Sequence, residues 1–177
     1  MKNFVFIDVF TQKLFGENFG SKAIFSVSDI RENLMNVSAT VIDKDINYIA
    51  LKTKSNQFNE NDLECMMDTE IDSVKKEIIP SNNQVVIEKE SYLANDYFEE
   101  IKKYLELHKI ETVFIYGLPF EEVIEIGNTL KELELKVWIV VDCTKSNSGN
   151  ERERIKDYQK DGLKMITFRN LENYLKM

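Results

Sequence analysis

Glu111-Thr112-Val113-Phe114-Ile115-Tyr116-Gly117-Leu118-Pro119-Phe120-Glu121-Glu122-Val123-Ile124 is the stretch whose reading decides the fold. Residues 112–116 are a short, nearly continuous apolar run, which suits a strand covered on both faces. Gly117 and Pro119 punctuate it as a tight turn. From Phe120 onward, Val123, Ile124, Gly127 and Leu130 recur at helical spacing as the inward stripe of a helix over 120–133. In an open α/β sheet, such a strand–turn–helix junction is where ligands sit.

The same alternation runs outward in both directions. Phe4-Val5-Phe6-Ile7 predicts a first strand, ended by Asp8. Residues 46–51, 84–89, 136–142 and 163–168 predict four more, the third strand closing on Lys89. Ser26-Val27-Ser28-Asp29 offers N-cap residues before Ile30, Leu34, Val37 and Val41 at helical spacing. Residues 92–108 predict a helix with Leu93, Tyr97, Ile101, Tyr104 and Leu105 on its apolar stripe. A charged helix over 150–161 is capped by Gly162, and 170–177 predicts a last helical turn or two. Residues 71–79 predict a further turn or two, closed by Pro80. Residues 11–21 read as an irregular excursion, with Phe10, Phe15 and Phe19 folding back as cover, and 52–62 as a polar surface loop. Near-continuous apolar strands alternating with helices predict a three-layer α/β/α architecture. It is a doubly wound, Rossmann-like, mainly parallel six-stranded sheet in one domain over 1–177.

Composition narrows the function classes. The net charge is −8, and no basic patch able to neutralise phosphates stands out, which argues against nucleic acid and an anionic membrane surface. No stretch approaches the roughly 20 apolar residues of a membrane helix, and the first apolar run is cut by Asp8. The expected compartment is cytoplasmic. Cys65 and Cys143 form no CxxC pair, and His108 is the only histidine, so a His-rich metal site is excluded and no metal is expected. No Gly-x-Gly-x-x-Gly or Walker A pattern follows a strand, and no cofactor is expected.

Three strand ends carry chemistry-bearing features: Asp8, Lys89 and the turn at 117–123. An Asp beside a Lys in a partly dry cleft is an acid/base pair whose members set each other's protonation. The plain readings stand beside this one: a strand-end Asp as a turn residue, a strand-end Lys in solvent, and Val123 in the core.

The order of these features resembles the isochorismatase-like hydrolases, the superfamily that includes nicotinamidases and other cysteine hydrolases. Their first strand ends in a D-x-Q-x-x-F-like segment, loosely matched by Asp8-Val9-Phe10-Thr11-Gln12-Lys13-Leu14-Phe15. Val86-Ile87-Glu88-Lys89-Glu90-Ser91-Tyr92-Leu93 resembles the segment of the catalytic Lys. Gly117-Leu118-Pro119-Phe120-Glu121-Glu122-Val123-Ile124 resembles the nucleophile turn G-x-x-T-D-x-C-V, with Val123 in the place of Cys. Leu63-Glu64-Cys65-Met66-Met67-Asp68-Thr69 resembles a degraded H-C-x-x-G-T segment, and the run from Val140 to Thr167 the closing pattern. Cys65 then matches a structural cysteine.

The resemblance implies a fold and removes a chemistry. Valine supplies no thiolate, so amide hydrolysis through a thioester is ruled out at Val123. Cys143 reads more readily as a buried small hydrophobe than as a substitute. The D-x-H metal segment of nicotinamidases has no counterpart. Isochorismatases hydrolyse a vinyl ether without the cysteine, with the Asp as general acid, and Asp8 and Lys89 are in place for that. Glu121 and Glu122 read either as charges that raise the Asp8 pKa or as acidic residues at a helix N-terminus. The expected function is a binding or interaction protein that has lost cysteine-hydrolase activity. The alternative is a cysteine-independent hydrolase using Asp8 and Lys89. A third reading is a scaffold whose pocket is filled by Phe10, Phe15 and Phe120. A small-molecule ligand and self-association into a homo-oligomer are the partners the resemblance implies.

Overall fold

The computed structural model describes residues 3–16, 20–24, 26–64, 66 and 74–176, the side chains of Arg152 and Lys176 aside. Among them six strands form one parallel sheet: β1 (Phe4–Val9), β2 (Tyr48–Thr53), β3 (Gln84–Lys89), β4 (Thr112–Gly117), β5 (Lys136–Thr144) and β6 (Lys164–Ile166). Their order is β3-β2-β1-β4-β5-β6, and every neighbouring pair is parallel. The helices are α1 (Lys13–Gly16), α2 (Arg31–Asp43), α3 (Glu60–Leu63), α4 (Phe98–Leu107), α5 (Phe120–Lys131), α6 (Glu151–Lys160) and α7 (Phe168–Lys176). The α/β architecture expected from the alternation of elements is the one observed.

Helices cover both faces, which is why β1 and β4 are buried along their whole length. α2 and α7 lie on one face: Ser38 of α2 meets Tyr116, and Tyr174 of α7 packs on Phe4 and Phe114. α5 lies on the other, with Gly127 against Ile115 and Ile139. α4 and α6 flank α5 there, through Asn95–Glu125 before α4 and Arg154–Glu121 from α6. The strand order changes direction between β1 and β4, and the helices change face with it, so the crossovers keep one hand.

Several boundaries differ from expectation. Asp8 does not end β1; it lies within it, paired in register with Ala50 and Tyr116. Ladder hydrogen bonds carry the strand past a charge that pattern reading treats as a stop. Ser26 makes no side-chain cap: Val27–Asp29 is a 3-10 turn and α2 begins at Arg31. The helix expected from Tyr92 starts as a 3-10 turn, Ala94–Tyr97, before α4, and Leu93 is exposed rather than on the apolar stripe. β2 extends to Thr53 into the expected loop. Residues 74–79 are not helical, while 67–73, like Phe19 and Cys65, lie outside the described residues. Among the described residues, no helix is long and apolar enough to cross a membrane.

Candidate functional site

The switch in strand order puts a crevice at the carboxyl ends of β1 and β4, the position where open α/β sheets hold their ligands. The β1–β4 ladder runs to the very end of both strands, where Val9 is paired with Gly117. The Leu118 amide donates to the Val9 carbonyl at 2.6 Å, and Gly117 sits at φ 117° with its α-carbon against Val9. A β-carbon at Gly117 would come within 2.2 Å of the Val9 oxygen, so only glycine permits this approach. Leu118 and Phe120 are fully buried behind it, after a cis Leu118–Pro119 peptide.

The described part of the excursion after β1 folds back onto the strand ends. Phe10 is buried at φ 51° and packs on Phe15 at 6.2 Å and on Tyr97 at 5.4 Å between ring centroids. Gln12 clamps the end of β2, accepting from the Thr53 amide at 2.9 Å and donating to the Thr53 carbonyl at 3.0 Å. Its amide also reaches the Leu63 carbonyl at 2.6 Å. Lys13 N–H donates to the Glu64 carbonyl, and Met66 N–H to that of Thr11, tying residues 10–16 to the segment after β2. Phe120 is held from the other side by Tyr158, with the Arg154 guanidinium 5.5 Å from its ring.

Asp8 is buried on the α2 face of the sheet. Its Oδ2 accepts from the Thr11 hydroxyl at 2.7 Å and the Tyr48 hydroxyl at 2.9 Å, while Oδ1 has no partner. The Tyr116 hydroxyl shares a hydrogen bond of 2.9 Å with Ser38. Burial raises the Asp8 pKa to about 6, against the opposing pull of the Thr11 and Tyr48 donors. Burial also pushes the Cys143 thiol up, with the nearby Asp142 and Asp8 charges adding to it, so Cys143 stays a protonated, fully buried thiol.

Lys89 belongs to the opposite face. The registers Asp8–Ala50–Val86 and Thr53–Lys89 place it on the alternate side of the pleat. Its ammonium pairs with Glu100 at 2.7 Å and donates to the Asp96 carbonyl at 2.6 Å, above the Tyr97 ring. Asp8 and Lys89 thus have separate sets of partners, and the sheet lies between them. Val123 is fully buried on the inward stripe of α5 with Ile124, Gly127 and Leu130.

Glu121 and Glu122 go elsewhere. Glu121 pairs with Arg154 at 2.6 Å and accepts from Ser146 at 2.5 Å, and Glu122 accepts from the Ala94 amide at 2.7 Å. Neither is among the groups that shift Asp8. Sequence reasoning missed Thr11, Ser38, Tyr48 and Tyr116 around Asp8, and Glu100 beside Lys89. Thr11, three residues after Asp8, was the one local signal. Among the described residues, no three His, Cys, Asp or Glu side chains converge to hold a metal ion.

No protein-family model matches the chain, and no curated protein matches it by sequence. Solved structures do match it by fold. An isochorismatase family protein from Desulfovibrio vulgaris superposes at a TM-score of 0.74 over 100% of both chains, with 10% identity. The fold is isochorismatase-like. A nicotinamidase from Bacillus subtilis superposes at 0.75, covering 94% of this chain and 100% of its own, with 13% identity. A pyrazinamidase of Pyrococcus horikoshii, solved in complex with zinc, reaches 0.72 over 93% and 99% of the two chains, with 18% identity. These isochorismatase-like neighbours share the strand–helix order and the sheet of this chain at identities where fold alone is held in common.

Proposed function

We propose that this chain is an isochorismatase-like fold protein without cysteine-hydrolase activity, acting as a binding or interaction protein. One observation carries the reading: the side chains that follow β1 and β4 are packed into the core. Phe10, Leu118, Phe120 and Val123, which follow the two strands, are fully buried among core side chains, and valine supplies no thiolate. The separation of Lys89 from Asp8 supports the same conclusion, because an electrostatic partner held by Glu100 on the other face does little for an acid on this one.

A second reading rests on Asp8 itself. Its unpartnered Oδ1 and its pKa of about 6 are properties of a proton donor for vinyl-ether hydrolysis. One assay separates the two. The purified chain is incubated with nicotinamide and pyrazinamide, read as ammonia release, and with isochorismate, read as pyruvate release. The expected result is no product above the blank from any of them. Ammonia release would overturn the proposal. Pyruvate release that disappears in Asp8→Asn would replace it with the second reading.

A further inference from the structure

The amino-terminal edge of the sheet, opposite the crevice, carries two cavities. One of about 340 Å³ is lined by the apolar side chains of Phe4, Ile46 and Leu175, with Lys44 and Asn47 beside them. The other, of about 280 Å³, is polar and is lined by Lys75, Ser81, Asn82 and Gln84 together with Val74. Both are lined by Asp45 and Asn83. The first volume falls within the range of ordinary small-molecule sites.

One residue in the wall of the polar cavity has an unmet demand. Asn82 is 2% exposed; its amide nitrogen donates to the Glu77 carbonyl at 2.8 Å, while its Oδ1 is buried without a partner. Such a carbonyl asks for a donor. Asp45 stands between the cavities at φ 48°, one oxygen accepting from Asn83 at 3.3 Å, so its charge is only partly engaged. Lys44 and Lys75 form no ion pair among the described residues. One partly engaged acid and two ammonium groups outside any described ion pair, beside an apolar floor, make a two-signed site with a greasy end.

We propose that this edge binds a small zwitterion of the α-amino-acid type with an apolar side chain. Its ammonium group meets Asp45, its carboxylate faces Lys75, and its side chain lies against Phe4, Ile46 and Leu175. The site lies at the other end of the strands from the crevice, and it stands whether or not the crevice performs hydrolysis.

The test is a titration of the full ¹⁵N-labelled chain with L-phenylalanine, followed through the amide resonances of Asp45, Asn82 and Asn83. Phenethylamine and hydrocinnamate, each carrying one of the two charges, serve as comparisons. Saturable shifts are expected with L-phenylalanine, and affinity at least about tenfold weaker for each single-charge analogue. Asp45→Asn, which keeps a residue tolerant of positive φ, is expected to weaken binding by a similar factor while leaving the rest of the spectrum intact. Lys75→Gln gives a second reading on a surface side chain. Absence of saturable shifts, binding undiminished in both variants, or equal binding of either analogue would overturn the proposal.

Discussion

Asp8 shows how one residue can be legible in type and illegible in role. Its place near the end of an apolar run is plain from sequence, and so is Thr11 three residues on. Tyr48 and Tyr116 reach it across 40 and 108 positions of chain, and only the register of β1 with its two neighbours puts them there. Burial is the larger influence on its proton, and the folded pKa of about 6 exceeds the ordinary 3.8. The folded state therefore holds the proton where the unfolded chain has released it. The stability this confers is complete below about pH 4 and is lost as pH rises through about 6, a swing of about 3 kcal/mol. Asp8→Asn keeps an acceptor for the Thr11 and Tyr48 hydroxyls and removes the charge. Urea denaturation at a series of pH values is expected to show the slope between pH 4 and 7 flattened in that variant, with stability above pH 7 equal to or greater than that of the parent. A variant that unfolds more easily than the parent at every pH would mean that the carboxylate is paired in a way this geometry does not contain.

At the scale of elements, β3 (Gln84–Lys89) and the start of α5 at Phe120 fall where the apolar pattern puts them, the helix beginning directly after Pro119. The ends of β1 and β2 do not, since ladder hydrogen bonds to adjacent strands extend a strand beyond its apolar run. The face on which Lys89 emerges is decided by pleat parity, and a family likeness read residue by residue carries no parity. Its ion pair with Glu100 is about a third exposed on both sides and is worth at most about 1 kcal/mol, so it positions Lys89 more than it stabilises the fold. The β4–α5 turn is the element with the least tolerance. Gly117→Ala combines a left-handed φ with a contact of 2.2 Å to the Val9 oxygen, and a loss of about 2–4 kcal/mol is expected in denaturant unfolding. A loss below about 0.5 kcal/mol would show that β1 and β4 part easily at this end.

For the whole molecule, the homo-oligomer expected from the sequence resemblance is the property to measure. Sedimentation velocity on the 20.8 kDa chain is expected to return a multiple of the monomer mass, and a monomer at all concentrations would remove homo-oligomerisation from the proposed role. The sequence by itself determined the architecture: apolar runs alternating with amphipathic helices can be buried only as a parallel sheet between two helical layers. It also determined that no thiol stands at Val123. Tertiary structure alone decided the rest. Which face a strand residue occupies, how closely Val9 and Gly117 approach, and whether Phe10 and Phe120 line a crevice or fill it all depend on contacts between segments far apart in the chain. Local pattern fixes what each segment must bury; only the assembled sheet fixes against what.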